Sequence, residues 1–115
     1  MATLKVKWVT CGDDHHWCNL KRLNLNFKAT GVYLIWKPGK NGYAVRCGQG
    51  DIPARLSAHR NDTNITRHGD DLLVTWARLP PSDLDGVERF LSGRYDYAEG
   101  VRYPDTAAIS VNLPT

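Results

Sequence analysis

Cysteine is scarce in this chain, methionine scarcer, and no apolar run approaches the length of a membrane span. Three cysteines in 115 residues are an odd number and too few for a disulfide framework, so the expectation is reduced thiols inside a cell. A membrane helix needs about 20 consecutive apolar residues; no stretch supplies them, and no membrane partner is expected. The opening Met1-Ala2-Thr3-Leu4-Lys5 lacks the charged-then-apolar layout of a signal peptide, which makes the expected location cytoplasmic. Also missing are internal repeats, low-complexity tracts, linkers and blocks of like charge.

What is present is ordinary for a globular protein. Hydrophobic residues make up 42% and charged residues 23% of the chain, enough for one domain that buries roughly two-thirds of its unfolded surface. The formal charge is +3 and the isoelectric point about 8.9. That balance permits contact with nucleic acid without demanding it.

The stretch from Gly31 to His59 organises the rest. Gly31-Val32-Tyr33-Leu34-Ile35-Trp36 is β-branched, aromatic and aliphatic on both faces, as in a strand buried in the middle of a layered fold. Lys37-Pro38-Gly39-Lys40-Asn41-Gly42 is turn chemistry. A second arm, Tyr43 to Cys47, is expected to stop at Gly48-Gln49-Gly50. Asp51 then offers a capping oxygen and Pro53 falls in a first helical turn, predicting a helix from about Ile52 to Arg60. Arg55 and His59 lie one turn apart on it and share a face.

Elsewhere the signals are shorter. Leu4 to Val9 alternates apolar and basic residues like a half-exposed strand. Leu20, Leu23, Leu25 and Phe27 anchor a lead-in that lies along the domain. Leu72 to Leu79 reads as a third strand, stopped by Pro80-Pro81, and a helix follows through about Leu91. Its apolar stripe is Leu84, Val87 and Leu91, and Glu88 borders that stripe. A carboxylate placed there must be paired, hydrogen-bonded or bound to a cation. Ile109, Val111 and Leu113 alternate again, so the last residues are expected to lie extended against the body. The fold class is therefore α+β: a small central antiparallel sheet of about three strands flanked by helices, with residues 1–30 as an extension packed on a 31–115 domain.

Taken in order, Gly31-Val32-Tyr33, the strand ending Cys47-Gly48, Arg55-x-x-x-His59, Glu88 in the next helix and Asn112 in Val111-Asn112-Leu113-Pro114 resemble the GIY-YIG nuclease domain. The resemblance covers most of the chain. It implies a β-β-α-β-α domain and a metal-dependent endonuclease acting on DNA phosphodiesters. Glu88 would bind Mg²⁺ or Mn²⁺, Arg55 would hold the scissile phosphate, Tyr33 would orient or deprotonate the attacking water, His59 would share the acid–base work, and Asn112 would be a positioning group. One motif departs from the family pattern. Where relatives carry a tyrosine before the hydrophobic residue and glycine, this chain reads Arg46-Cys47-Gly48, and Gln49 stands where many relatives carry lysine. Arg46 could contact substrate phosphate in exchange for the missing phenol. The alternative is a catalytically inactive module on the same fold that binds nucleic acid or a protein partner.

Cys11, His15, His16 and Cys18 are zinc-type ligands, but their spacing matches no standard site. The reading taken is a polar loop that tucks Trp17 and Cys18 against the core, with zinc not expected. DNA is the expected partner; a homodimer making two nicks, or a protein partner, also suits a chain of this size.

Overall fold

A computed structural model describes residues 3–114; residues 1, 2 and 115, which belong to the two expected segments, lie outside it. The elements in chain order are β1 (Cys18–Asn19), β2 (Thr30–Lys37), β3 (Tyr43–Asp51), α1 (Ile52–Arg60), α2 (Thr63–Thr66), β4 (Leu73–Arg78) and α3 (Pro81–Ser92). The strands form one antiparallel sheet in the order β1-β4-β2-β3. This is the α+β architecture read from the sequence, with a fourth, two-residue strand added at one edge.

The central position of β2 follows from its composition. Side chains alternate across a strand, and both alternating sets are apolar. Tyr33 and Ile35 enter a core formed with Ile52 and Leu56 of α1, Ile65 of α2, and Val74 and Trp76. Val32 and Leu34 enter a second core with Leu84, Val87 and Leu91 of α3, joined by Trp8, Leu79 and Val111. The sheet thus separates two cores, α1 covering one face and α3 the other.

Local chemistry sets the boundaries. Asp51 caps α1 by accepting the Ala54 amide at 3.1 Å, with proline in the first turn. Asp62 accepts the Asn64 amide at 2.9 Å and starts the short α2. The expected stop of the second arm at Cys47 is corrected: β3 runs on to Asp51, pairing Tyr33 with Gly48 and Gly31 with Gly50. Tyr33 of β2 lies across Gly48 and Arg55 of α1 across Gly50, supplying the packing the glycines lack.

The N-terminal segment is woven into the sheet. Leu4 to Val9 forms no strand; Leu4 makes one parallel bridge to Val111, and the Val9 amide donates to Trp76 carbonyl at 2.9 Å. Leu20 and Asn19 continue the edge beside Leu72 and Leu73. The Arg60 guanidinium, reaching back from α1, donates to the carbonyls of Leu20 and Leu23.

The expectation of reduced cysteines is corrected. Cys11 and Cys18 are joined by a disulfide with Cα atoms 5.2 Å apart, and only Cys47 is free and buried. An odd count leaves one thiol over; it does not prevent two neighbours from pairing. The polar loop between them holds Cys18 fully buried in the first core. Among the described residues no helix is long and apolar enough to cross a membrane. Thiol titration should find one reactive thiol per chain in denaturant without reductant and three with it. Reduction should lower unfolding stability by about 2–3 kcal/mol, as expected for a short closed loop. Three thiols without reductant would contradict the pairing.

Candidate functional site

The site forms where the end of β3 passes between the two helical layers. Residues opposite one another in an antiparallel pair share a face, so Arg46, opposite Ile35, and Gly48, opposite Tyr33, look toward α1. Gln49, opposite Val32, looks toward α3. One strand therefore delivers groups to both layers within four residues.

On the α1 side, the Tyr33 ring lies across Gly48: a Cβ there would stand 2.3 Å from the phenol oxygen. With that space open, the Tyr33 hydroxyl reaches His59 Nε2 at 2.5 Å. Tyr33 is 2% and His59 7% exposed. Burial, opposed by the nearby guanidinium groups of Arg46 and Arg55, pushes the Tyr33 phenol up to about 12. Burial, helped by the same two arginines, pushes His59 down to about 4. At neutral pH both rings are uncharged. In the tautomer protonated at Nδ1, Nε2 accepts from the phenol; in the other, Nε2–H donates to the phenol oxygen.

Gly50 adopts φ +121°, in the left-handed region, and the Arg55 side chain passes over it, 3.3 Å from where a Cβ would be. Arg55 is exposed on α1. Arg46 is half-buried, and its Nε, enclosed by protein, has no hydrogen-bond partner among the described residues.

On the α3 side, Glu88 is 8% exposed. The Gln49 amide nitrogen donates to its Oε1 at 3.0 Å and to Asp85 Oδ1, one turn earlier, at 2.6 Å. Burial raises the Glu88 carboxyl above its ordinary value; the Gln49 hydrogen bond opposes this, Asp85 adds to it, and Arg46 and Arg55 oppose it. Two carboxylates share one neutral amide donor. A divalent cation fits that pair on chemical grounds, since it would offset both the burial and the repulsion.

Of the residues picked from the sequence, Tyr33 and His59 meet directly, and Arg46, Arg55 and Glu88 lie within one electrostatic neighbourhood. Arg55 and Glu88 form no ion pair among the described residues. Asn112 is engaged elsewhere. Its Oδ1 accepts the Val6 amide at 2.7 Å and its Nδ2 donates to Val6 carbonyl at 3.0 Å, while its own carbonyl accepts the Trp8 indole at 2.8 Å. It ties the C-terminal segment to residues 6–8, and among the described residues no hydrogen bond links it to the other site residues. Asp85 escaped the sequence reading; its spacing from Glu88 on one helix face was the available signal. At the remaining candidate position, His16 Nδ1 bonds Asp14 at 2.6 Å and the two cysteine sulfurs bond each other. No group of three or more metal-type side chains converges among the described residues.

The buried neutral histidine makes stability depend on pH. The unfolded chain binds a proton at His59 as pH falls below about 6.5, while the folded chain does so only near 4. Its contribution is therefore fully present above about pH 6.5 and is lost on descending toward pH 4. Denaturant midpoints measured between those limits should fall with decreasing pH, with uptake of about one proton assigned to this group. His59→Gln should flatten the dependence by that proton; an unchanged slope would contradict the assignment.

No family model, curated protein or solved structure matches this chain, so its chemistry is read from the residues and their geometry.

Proposed function

We propose that this chain is a metal-dependent endonuclease that hydrolyses DNA phosphodiester bonds, on a GIY-YIG-type domain with a variant second motif. The observation that carries the reading is the convergence of Tyr33, His59, Arg46, Arg55 and Glu88, drawn from β2, β3, α1 and α3, on the Gly48–Gly50 stretch. Phosphodiester hydrolysis needs an activated water, positive charge beside the phosphoryl oxygens and help for the leaving oxygen, and this set contains a group for each.

Arg55, exposed over Gly50, holds and neutralises the scissile phosphate with its planar fork. Arg46, half-buried, adds a second cation; its Nε is enclosed and has no hydrogen-bond partner among the described residues. Glu88, with Asp85 one turn away, would hold Mg²⁺ or Mn²⁺, which when bound supplies Lewis-acid stabilisation of the leaving oxygen. Tyr33 and His59 work as one proton path. As a water oxygen forms its bond to phosphorus, its proton passes to the Tyr33 oxygen and the phenol proton passes to His59 Nε2, while the bond from phosphorus to the leaving oxygen breaks. His59 ends as imidazolium and returns its proton to solvent. Because burial holds His59 neutral above about pH 4, the unprotonated imidazole is present throughout the neutral range, as a weak base.

The second reading, a module on the same fold that binds nucleic acid or a protein partner without cutting, is favoured by one observation: the Tyr33 ring is 2% exposed, so water must be admitted to it. A cytoplasmic site of action belongs to the same proposal; in a reducing compartment Cys11 and Cys18 would be thiols.

Supercoiled, branched and single-stranded DNA incubated with the protein and Mn²⁺ should be cleaved. Glu88→Ala and Arg55→Ala should each lower the rate by roughly a hundredfold or more, the order seen when one transition-state partner is removed, with unchanged circular dichroism. Glu88→Ala cutting at the wild-type rate would sink the metal assignment. No cleavage by the wild type, with binding that weakens steeply as salt rises, would establish the second reading.

A further inference from the structure

At the far end of the β2–β3 hairpin, a cavity of about 480 Å³ has Leu34, Trp36, Pro38, Tyr43, Tyr95 and Pro114 among its lining residues. Its size is typical of small-molecule pockets, and three of these residues are aromatic. Tyr43 is 42% and Tyr95 36% exposed, so neither is held in place by burial alone.

Tyr43 is nevertheless fixed. Its hydroxyl bonds His68 Nδ1 at 2.7 Å, His68 Nε2 bonds Glu99 Oε2 at 2.7 Å, and the Arg67 guanidinium donates to the same oxygen at 2.6 Å. The Tyr43 and His68 rings meet edge to face at 5.5 Å. Glu99 is itself anchored, its amide donating to Val45 carbonyl at 2.8 Å. Groups from the start of β3, the end of α2 and the segment after α3 thus brace one solvent-facing ring. An aromatic face ordered in advance loses little freedom when a planar ligand stacks on it.

We infer that this cavity binds an unpaired nucleobase of a nucleic-acid strand; the inference rests on the nucleic-acid part of the reading above. Two observations favour this occupant. Three aromatic residues, Trp36, Tyr43 and Tyr95, line the cavity, and every base can stack on an aromatic ring. Lys40, at the exposed tip of the hairpin turn, makes no ion pair among the described residues and is available to a phosphate.

The test is binding in EDTA, followed by tryptophan fluorescence, since Trp36 lines the cavity. The probes are a single-stranded oligothymidylate, an abasic strand of the same length and thymidine monophosphate. The base-bearing strand should quench fluorescence and bind at least about fivefold tighter than the abasic one. Tyr95→Ala and Tyr43→Ala should each weaken it by a similar factor, and Tyr43→Phe, which keeps the ring and removes the brace, by less. Equal affinity for the two strands, or wild-type binding by Tyr95→Ala, overturns the pocket; mononucleotide binding as tight as the strand overturns its assignment to a strand. Because EDTA removes turnover, the two readings fail separately. Base-dependent binding without cleavage in the Mn²⁺ assay upholds the pocket and removes the nuclease. Cleavage with binding indifferent to bases and to Tyr95 does the reverse.

Discussion

The close approach of Tyr33 to Gly48 is the contact on which the site depends. A methyl group at position 48 would collide with the phenol. Without it, the ring lies flat across β3 and its hydroxyl reaches α1. The same pairing sets the register that turns Arg46 toward α1 and Gln49 toward α3. Strand alternation, which elsewhere serves only to divide apolar side chains between two cores, here divides polar ones between two helical layers. The result is one neighbourhood in which the two guanidinium groups act on the protonation of Tyr33, His59 and Glu88, and Asp85 acts on that of Glu88.

The charge arrangement is internally consistent. The two most buried members, Tyr33 and His59, are the ones that carry no charge at neutral pH, as desolvation requires. Their partners of fixed charge stand nearer to water: Arg55 is exposed and Arg46 half-buried. Glu88 is the exception, a carboxylate on the apolar border of α3 with only a neutral amide donor on its Oε1. Such a group is costly to bury, and its place beside Asp85 is the feature that packing alone explains least well.

Much of the fold was legible because its signals are local and strong. Turn chemistry marked the hairpin, Asp51 and Pro53 marked the start of α1, and two apolar faces on one arm marked the central strand. The elements missed are those that tertiary contact creates. β1 is two residues long and exists only as the edge partner of β4, and α2 is a single capped turn. Glycines that read as a stop in β3 are the places where Tyr33 and Arg55 cross the backbone. The Cys11–Cys18 pair was hidden by an odd count. Of the site, Tyr33 and His59 could be paired from strand face and helix face, and Glu88 from its place on the apolar border. Asn112 came from order along the chain, which carries no direction in space, and its amide turned out to be used by Val6.

The metal assignment is tested most directly by Mn²⁺ titration of the ¹⁵N-labelled protein, reading paramagnetic broadening of backbone amides. The account predicts that the amides of Gln49, Asp85 and Glu88 broaden first, followed by those of Gly48 and Gly50, while the Cys11–Cys18 loop stays sharp. Broadening centred on Asp14 to His16, or uniform and weak across the chain, would contradict it.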